Sequence, residues 1–231
     1  MRLFILTTFL FNYLFSSNLP SNYYEIKDTN QMKQYFFKFI NEMAVKQNKL
    51  ILNDRNFIKD YYLAEKQNNQ DLVKSKRFEA ITKRYKLKEK ASLEDYLARI
   101  DIIPISIVLS QAVVESGWGK SRFFREAKNI FGQWTWTGKG LIPKGRDGKL
   151  KHKIRIFNSY IHSVKGYMIN LNLGHAYVSF RKTRAKLRLN DSPIMGLLLV
   201  DTLANYSQKR EIYTKLLKKI ILKNKLERFD K

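Results

Sequence analysis

The chain has 231 residues, with 44 Lys and Arg against 20 Asp and Glu, which gives a formal net charge of +24. So strong a positive charge predicts a polyanionic partner, either nucleic acid, anionic lipid headgroups or an acidic cell wall, unless many of the lysines only solvate the surface. The sequence has no cysteine, no Gly-rich phosphate loop and no metal-binding spacing of its three histidines, so we expect no cofactor and no metal.

The first 20 residues have the plan of a secretory signal peptide, with Arg2, an apolar run over residues 3–15, and small residues at Ser16 and Ser17. This run is shorter than the roughly 20 apolar residues that span a bilayer, so we expect removal after export, with only transient membrane contact. Export predicts a protein of the periplasm or cell envelope and argues against nucleic acid as its target. The remaining chain suffices for one sizeable domain, or a core domain with a helical extension, and we expect a monomer.

Helical periodicity runs from Asp28 to Lys66, and Thr29 is the expected N-cap. The apolar positions of this segment are Met32, Phe36, Phe39, Ile40, Met43, Leu50, Ile51, Phe57, Ile58, Tyr61 and Tyr62. We interpret its aromatic residues as core rather than as sugar-binding surfaces. After a polar connection over residues 66–77, two shorter helices are expected at 78–85 and 92–99.

A buried helix is predicted next, beginning near Pro104, whose missing amide hydrogen is harmless in a first turn. Asp101 is the expected cap, and Gly117 and Gly119 are expected to end the helix. Glu115 then falls in the last turn, where the carbonyl ends of the helix disfavour a negative charge.

Gln111 lies one turn before Glu115, and Val114, Trp118 and Phe131 could shield the Glu115 carboxyl from water. Both the helix end and this shielding should raise the pKa of Glu115. A carboxyl that is protonated near neutral pH is what general-acid cleavage of a glycosidic bond requires. The alternative is that Glu115 is simply a solvated residue at a helix end.

The following segment is rich in glycine, and alternating runs predict two strands, at residues 133–137 and 152–157, joined by an extended loop. A helix over 161–173 follows, with Ser159 as its cap. Ser192 and Pro193 are expected to open a further helix that runs through Leu203.

The stretch SQAVVESGWGKSRFFREAKNIFGQW resembles the core motif of bacterial peptidoglycan N-acetylglucosaminidases of glycoside hydrolase family 73, most closely the Bax-type branch of that family. Similarity to that branch extends over nearly the whole mature chain. The resemblance implies a mainly α fold (α+β). Its parts would be a helical extension over residues 21–90 and, over residues 91–231, a lysozyme-like helical domain with a small β-hairpin lobe.

The resemblance also implies roles for particular residues. Glu115 takes the position of the catalytic acid. Tyr177 closes a turn that lacks the family's proline and arginine, whereas Tyr206 and Tyr213 stand at the two tyrosine positions of the closing motif LANYSQKREIYTKLLKKI. Tyr206 is the second candidate catalytic residue. The candidate substrate-binding residues are Gln111, Trp118, Phe131, Trp134, Trp136, Tyr177 and Tyr213.

Glycosidases generally use two carboxylates, and many family members place the second on the hairpin lobe as a glutamate. Here the only acids between Glu126 and Asp201 are Asp147 and Asp191, and only Asp147 lies in the lobe. Asp147 is therefore the candidate second catalytic residue. The alternatives are that it is a plain turn residue and that the acetamido group of the substrate assists instead.

We expect the protein to hydrolyse the β-1,4 bond after N-acetylglucosamine in peptidoglycan, an anionic polymer that would also account for the positive charge. A lytic transglycosylase is the alternative enzyme, since it too uses one glutamate acid. A cell-wall-binding protein without activity and a basic nucleic-acid-binding protein are the alternatives outside enzymes.

Overall fold

Helices dominate the part of the chain that the computed structural model describes, which is residues 18–67, 75–88, 90–143 and 152–230. Its α-helices are α1 (Thr29–Lys66), α2 (Lys76–Arg84), α3 (Leu93–Arg99), α4 (Ile105–Ser116), α5 (Arg122–Ala127), α6 (Tyr160–Leu173), α7 (Val178–Leu189), α8 (Gly196–Leu199) and α9 (Arg210–Lys223). Its strands are β1 (Trp134–Thr135), β2 (Gly140–Leu141) and β3 (Lys153–Arg155), and 3₁₀ turns cover Tyr23–Glu25, His175–Tyr177, Val200–Tyr206 and Leu226–Phe229. Residues 1–17 of the predicted signal peptide, and Asp147, lie outside the described residues.

Helix α1 is a single helix of 38 residues whose apolar face packs along α4 and α6. The first predicted stripe on this face, including Phe36 and Ile40, is buried. The predicted cap was off by one residue, because Asp28 accepts hydrogen bonds from Asn30 N and Gln31 N, and Thr29 is already helical. Helix α1 thus contributes to the same hydrophobic core as the helices that follow residue 90.

Helix α4 begins at Ile105, as its sequence predicts, but its cap comes from the far end of the chain. The carboxylate of Asp230 accepts from Ser106 N at 2.8 Å and from Ser106 Oγ at 2.6 Å. Gly196 N also donates to this carboxylate, at 2.8 Å. The N-terminal end of α4 is therefore fixed against the start of α8 and the C-terminal 3₁₀ turn.

The predicted capping role of Asp101 was wrong. Its side chain is 1% exposed, and it accepts hydrogen bonds from the Arg188 guanidinium, with an N–O distance of 2.9 Å. The guanidinium groups of Arg55 and Arg184 lie 3.6 and 3.9 Å from the same carboxylate and lower its pKa. The Asp101 carboxylate is thus the buried counter-ion of three arginines. Because it is bound to them, it does not cap the N-terminal end of α4.

The small sheet has three strands in the order β1-β3-β2, both pairs antiparallel, where the sequence predicted two. Trp134 pairs with Ile154, and Gly140 pairs with Arg155. The additional strand β2 needs a glycine, because a Cβ at Gly140 would lie 2.6 Å from Lys153 Cβ. The sheet forms the small lobe beside α5 and α6.

The helix predicted from Ser192 to Leu203 was also wrong in extent. Helix α8 begins only at Gly196, where a Cβ would lie 2.1 Å from Ser106 Oγ, so this close approach to α4 requires glycine. From Val200 the chain continues as a 3₁₀ helix that ends at Tyr206. The described architecture confirms a mainly α, lysozyme-like domain with a small β lobe.

Candidate active site

Glu115 lies in the last turn of α4, the buried helix that runs through the centre of the domain. The helix ends because Gly117 adopts a left-handed conformation, with φ of 56°. Ser116 Oγ donates to the Ala112 carbonyl and accepts from Gly119 N at 2.8 Å, which fixes the turn that follows. Glu115 is thereby held on a rigid element, with its carboxyl at the edge of a cleft.

A directed chain of hydrogen bonds ends on Glu115 Oε1. The Tyr167 hydroxyl donates to Gln111 Oε1, and Gln111 Nε2 donates to the Tyr213 hydroxyl at 2.7 Å. The Tyr213 hydroxyl, whose oxygen accepts from the amide, in turn donates to Glu115 Oε1 at 2.9 Å. Because an amide nitrogen only donates, the direction of the chain is fixed, and Oε1 is the accepting oxygen.

The proton of a protonated Glu115 therefore belongs on Oε2. This oxygen faces the loop at Gly132, where a Cβ would lie 3.8 Å from it. Gly132 has φ of +63° and presents no side chain, so the approach to Oε2 from this loop stays open.

Burial raises the pKa of Glu115 above its ordinary value, and the hydrogen bond from Tyr213 offsets part of that effect. Burial acts this way because it penalises the charged carboxylate, whereas a donated hydrogen bond stabilises it. The net result is a carboxyl that retains its proton at a higher pH than an exposed glutamate. This agrees with the pKa direction predicted from the sequence.

Asn129 positions the loop that faces Glu115. Its Nδ2 donates to the carbonyls of Gln133 and Arg155, each at 2.8 Å, and its Oδ1 accepts from Gln133 N at 3.0 Å. Asn129 is 1% exposed, so these bonds are protected from water. One buried amide thus ties the Phe131–Gln133 loop to strand β3, a role that the sequence analysis missed.

The cleft has a volume of about 530 Å³ and brings together most of the predicted site residues. It is lined by Glu115, Phe131, Gly132, Gln133, Trp134, Trp136, Arg155, Gly166, Asn170, Tyr177 and Tyr206. Gln111 and Tyr213 lie behind Glu115 rather than on the cleft wall, because both are buried in the hydrogen-bond chain. Gln133, Arg155 and Asn170 are cleft residues that the sequence analysis missed.

Two tryptophans stand exposed on the lobe side of the cleft. Trp134 and Trp136 are 52% and 69% exposed, and their ring centroids lie 6.1 Å apart in an edge arrangement. The Trp134 ring stacks on His152 at 4.2 Å. These two rings therefore form an exposed aromatic surface beside the cleft, as the predicted sugar-binding role requires.

The structure does not bring Trp118 into the cleft. Its backbone is left-handed, with φ of 59°, and this turns the ring towards α1, where it contacts Phe36 and Phe37 at centroid distances of 5.6 and 5.3 Å. The Tyr23 hydroxyl donates to the Trp118 carbonyl at 2.8 Å. We therefore correct the predicted role of Trp118, which joins the turn after α4 to the N-terminal helix.

The remaining tyrosines close the rear of the cleft. Tyr206 stacks on Tyr213 with a centroid distance of 5.7 Å, and its hydroxyl donates to the Phe131 carbonyl at 3.1 Å. Burial raises the pKa of Tyr177 to about 12, so its phenol stays protonated. Phe131 is 2% exposed, stacks on Tyr167 at 3.8 Å, and offers the cleft little of its ring.

Glu115 is the single carboxylate that lines the cleft within the described ranges. Asp147, the candidate second carboxylate, lies outside them, so its role stays a prediction. Across the residues that the structure describes, no group of His, Cys, Asp and Glu is arranged to hold a metal ion, and no helix is long and apolar enough to cross a membrane.

A lysozyme-like helical domain with a protonatable glutamate at the end of a buried helix, beside exposed aromatic residues, defines a glycosidase-type site. Comparison with known families identifies it more closely. The sequence model of the glucosaminidase family, described as mannosyl-glycoprotein endo-beta-N-acetylglucosaminidase, matches residues 90–226. This is more than half of the chain, and the chain belongs to the glucosaminidase family.

Two curated proteins are similar to the chain. Protein bax of Escherichia coli (strain K12) is 35% identical over 188 residues, which cover 78% of this chain and 65% of that protein. Peptidoglycan hydrolase FlgJ of Salmonella typhimurium is 28% identical over 109 residues, which cover 37% of this chain and 34% of FlgJ. The chain thus spans less than two thirds of either relative. No solved structure matches it significantly.

Proposed function

We propose that this protein is a peptidoglycan hydrolase that cleaves the β-1,4 bond after N-acetylglucosamine in glycan strands. The observation that carries the proposal is the arrangement of the Glu115 carboxyl: Oε1 accepts a hydrogen bond from the Tyr213 hydroxyl, and Oε2 faces Gly132 in the cleft. Membership of the glucosaminidase family supports the sugar, and the name of the relative FlgJ supports peptidoglycan as the polymer.

In the proposed reaction Glu115 protonates the departing glycosidic oxygen from Oε2. The carboxylate that remains is stabilised by the hydrogen bond from Tyr213, which strengthens as charge develops on Glu115. Trp134 and Trp136 would stack on the apolar faces of the sugar rings. Asn170, on the α6 side of the cleft, supplies a polar group for the acetamido substituent.

The second half of the reaction needs either a second carboxylate or help from the substrate. In the first case Asp147 activates a water molecule. In the second, the acetamido group assists and Tyr206 stabilises the charge on the sugar. Replacing Asp147 by Asn distinguishes them, since a loss of about a hundredfold or more supports two carboxylates and near-normal turnover supports substrate assistance.

Lytic transglycosylase activity is the second candidate, and the presence of one carboxylate among the described cleft residues favours it. The two reactions differ in their products. Hydrolysis adds water and leaves reducing N-acetylglucosamine ends, whereas transglycosylation leaves anhydromuramic ends without adding water.

Either activity would take place outside the cytoplasm, which agrees with the proposal that residues 1–20 are an export signal.

The direct test is to digest purified peptidoglycan with the wild type, with Glu115→Gln and with Glu126→Gln. Glu126 is an exposed glutamate of α5 that pairs with Arg122, so its replacement makes the same Glu-to-Gln change away from the cleft. We expect Glu115→Gln to lose at least about a hundredfold in rate and Glu126→Gln to keep the wild-type rate. Equal rates for all three would refute the proposal.

A further inference from the structure

The active-site cleft continues into a second depression, which we name the α6 groove. It has a volume of about 440 Å³ and is lined by Arg155, Ile156, Phe157, Asn158, His162, Lys165, Gly166 and Ile169. Arg155 and Gly166 also line the cleft, so the two depressions share a wall. Beyond it, Lys165 and Ile169 line a third depression of about 300 Å³, between α6, α1 and α2.

A glycine lies where the cleft meets the α6 groove. At Gly166 a Cβ would lie 2.9 Å from the side-chain amide of Gln133 and 3.5 Å from a ring carbon of Phe157. Glycine in a helix interior is less favourable than alanine. Its place in the middle of α6 keeps the passage between the depressions free of a side chain.

Among the described residues, the lining of the α6 groove includes cationic side chains and no acidic one. The two cationic side chains of the groove, Arg155 and Lys165, are both exposed. Among the described residues neither Arg155 nor Lys165 forms an ion pair; the Arg155 guanidinium lies over the Phe157 ring at 4.8 Å. In the third depression, by contrast, Arg84 is paired with Asp54.

We propose that the α6 groove binds the glycan strand beyond the cleaved bond, and that Arg155 and Lys165 bind free lactyl carboxylates of muramic acid. This rests on the proposed function and deepens it, because such carboxylates are free only on strands that have lost their stem peptides. Arg155 lies on the wall that the cleft and the groove share, next to where the sugar rings of a bound strand would lie. The lactyl carboxylate is the acidic group nearest to the sugar ring of such a strand, and arginine and lysine are suited to binding carboxylates.

Binding can be measured separately from catalysis. The full chain carrying Glu115→Gln is titrated with peptide-free glycan strands, with the same strands after their carboxylates are converted to methylamides, and with strands that retain stem peptides. The binding curves are then repeated after adding Arg155→Gln and Lys165→Gln. The matched control adds Lys219→Gln and Lys223→Gln, which remove two exposed charges on α9 that line none of the three depressions.

We expect the groove variant to bind peptide-free strands about tenfold more weakly, since each exposed ion pair contributes up to about 1 kcal/mol. The loss on methylamide strands should be at least severalfold smaller, and the α9 control should bind almost as the starting protein does. Equal losses on acidic and methylamide strands, or an equal loss in the α9 control, overturn the proposal. A larger loss on peptide-bearing strands overturns it in favour of stem-peptide carboxylates. Failure of wild-type hydrolysis would refute the proposed function alone.

Discussion

Replacing Tyr213 by Phe should move the basic limb of the pH–rate profile to higher pH. The substitution removes the hydroxyl that donates to Glu115 Oε1 at 2.9 Å and leaves the ring in place. A hydrogen bond contributes about 1.5 to 3 kcal/mol when its acceptor is charged and about 0.5 to 1.5 kcal/mol when it is neutral. The carboxylate therefore loses more than the protonated acid does, by about 1 kcal/mol or somewhat more.

This difference raises the pKa of Glu115 in the variant, because the hydrogen bond that favours the charged form is gone. Since the acid acts in its protonated form, activity should persist to correspondingly higher pH, although the rate at the optimum falls. The loss of the hydroxyl also leaves the Nε2 of buried Gln111 without its acceptor, which should cost about 1 to 3 kcal/mol of unfolding free energy.

The assay is turnover of a soluble chitooligosaccharide across pH, with urea unfolding for stability. Tyr206→Phe is the matched control, because its hydroxyl donates to the Phe131 carbonyl and not to Glu115. We expect this control to lower turnover and to leave the limb where it is. If Tyr213→Phe leaves the limb unmoved, or shifts it to lower pH, Tyr213 does not control the ionisation of Glu115.

Three further outcomes follow from the site. Glu115→Gln should be more stable to urea than the wild type at neutral pH, because burial raises the pKa of the carboxyl and ionisation then opposes folding. The advantage should vanish once the pH lies about one unit below the ordinary glutamate pKa of about 4.3, where Glu115 is protonated in both states. A difference that stays constant with pH would contradict this. Gly132→Ala should lose about 1 to 2 kcal/mol of unfolding free energy, because the φ of +63° at this position is unfavourable for a residue with a Cβ. Its turnover should also be slower, because the new Cβ approaches Glu115 Oε2. Wild-type turnover in this variant would show that access from this loop is unimportant. Trp118→Ala should lower the unfolding free energy by about 2 kcal/mol with little change in KM, because its ring packs on α1. Trp136→Ala should instead raise KM about tenfold with little change in stability, because its ring is exposed. The reverse pattern would restore Trp118 as a sugar-binding residue.

Local signals in the sequence were enough to predict helix α4 and the position of Glu115 in its last turn. Pro104 and Gly117 mark the helix ends by their own backbone preferences, which act within one turn of chain. The cap of the same helix could not be predicted in this way. It comes from Asp230, which lies 124 residues from Ser106 and reaches it only after the whole domain has folded.

Nearness in sequence was a poor guide to the cleft itself. Trp118 follows Glu115 by three residues, yet three successive left-handed residues, Gly117 to Gly119, send its side chain to the opposite side of the turn. Asn170 reaches the cleft from α6, and Arg155 reaches it from β3, and neither has a local pattern that marks it. Strand β2, with two residues, is too short to show an alternating pattern.

In the proposed reaction Glu115 protonates the glycosidic oxygen, and water then adds to the anomeric carbon of the N-acetylglucosamine residue. Digestion of peptidoglycan in ¹⁸O-labelled water, followed by mass spectrometry of the released fragments, tests this directly. We predict one ¹⁸O atom at the reducing carbon of a terminal N-acetylglucosamine, and no labelled fragment from Glu115→Gln. Unlabelled anhydromuramic ends, or labelled fragments in equal yield from Glu115→Gln, would contradict it.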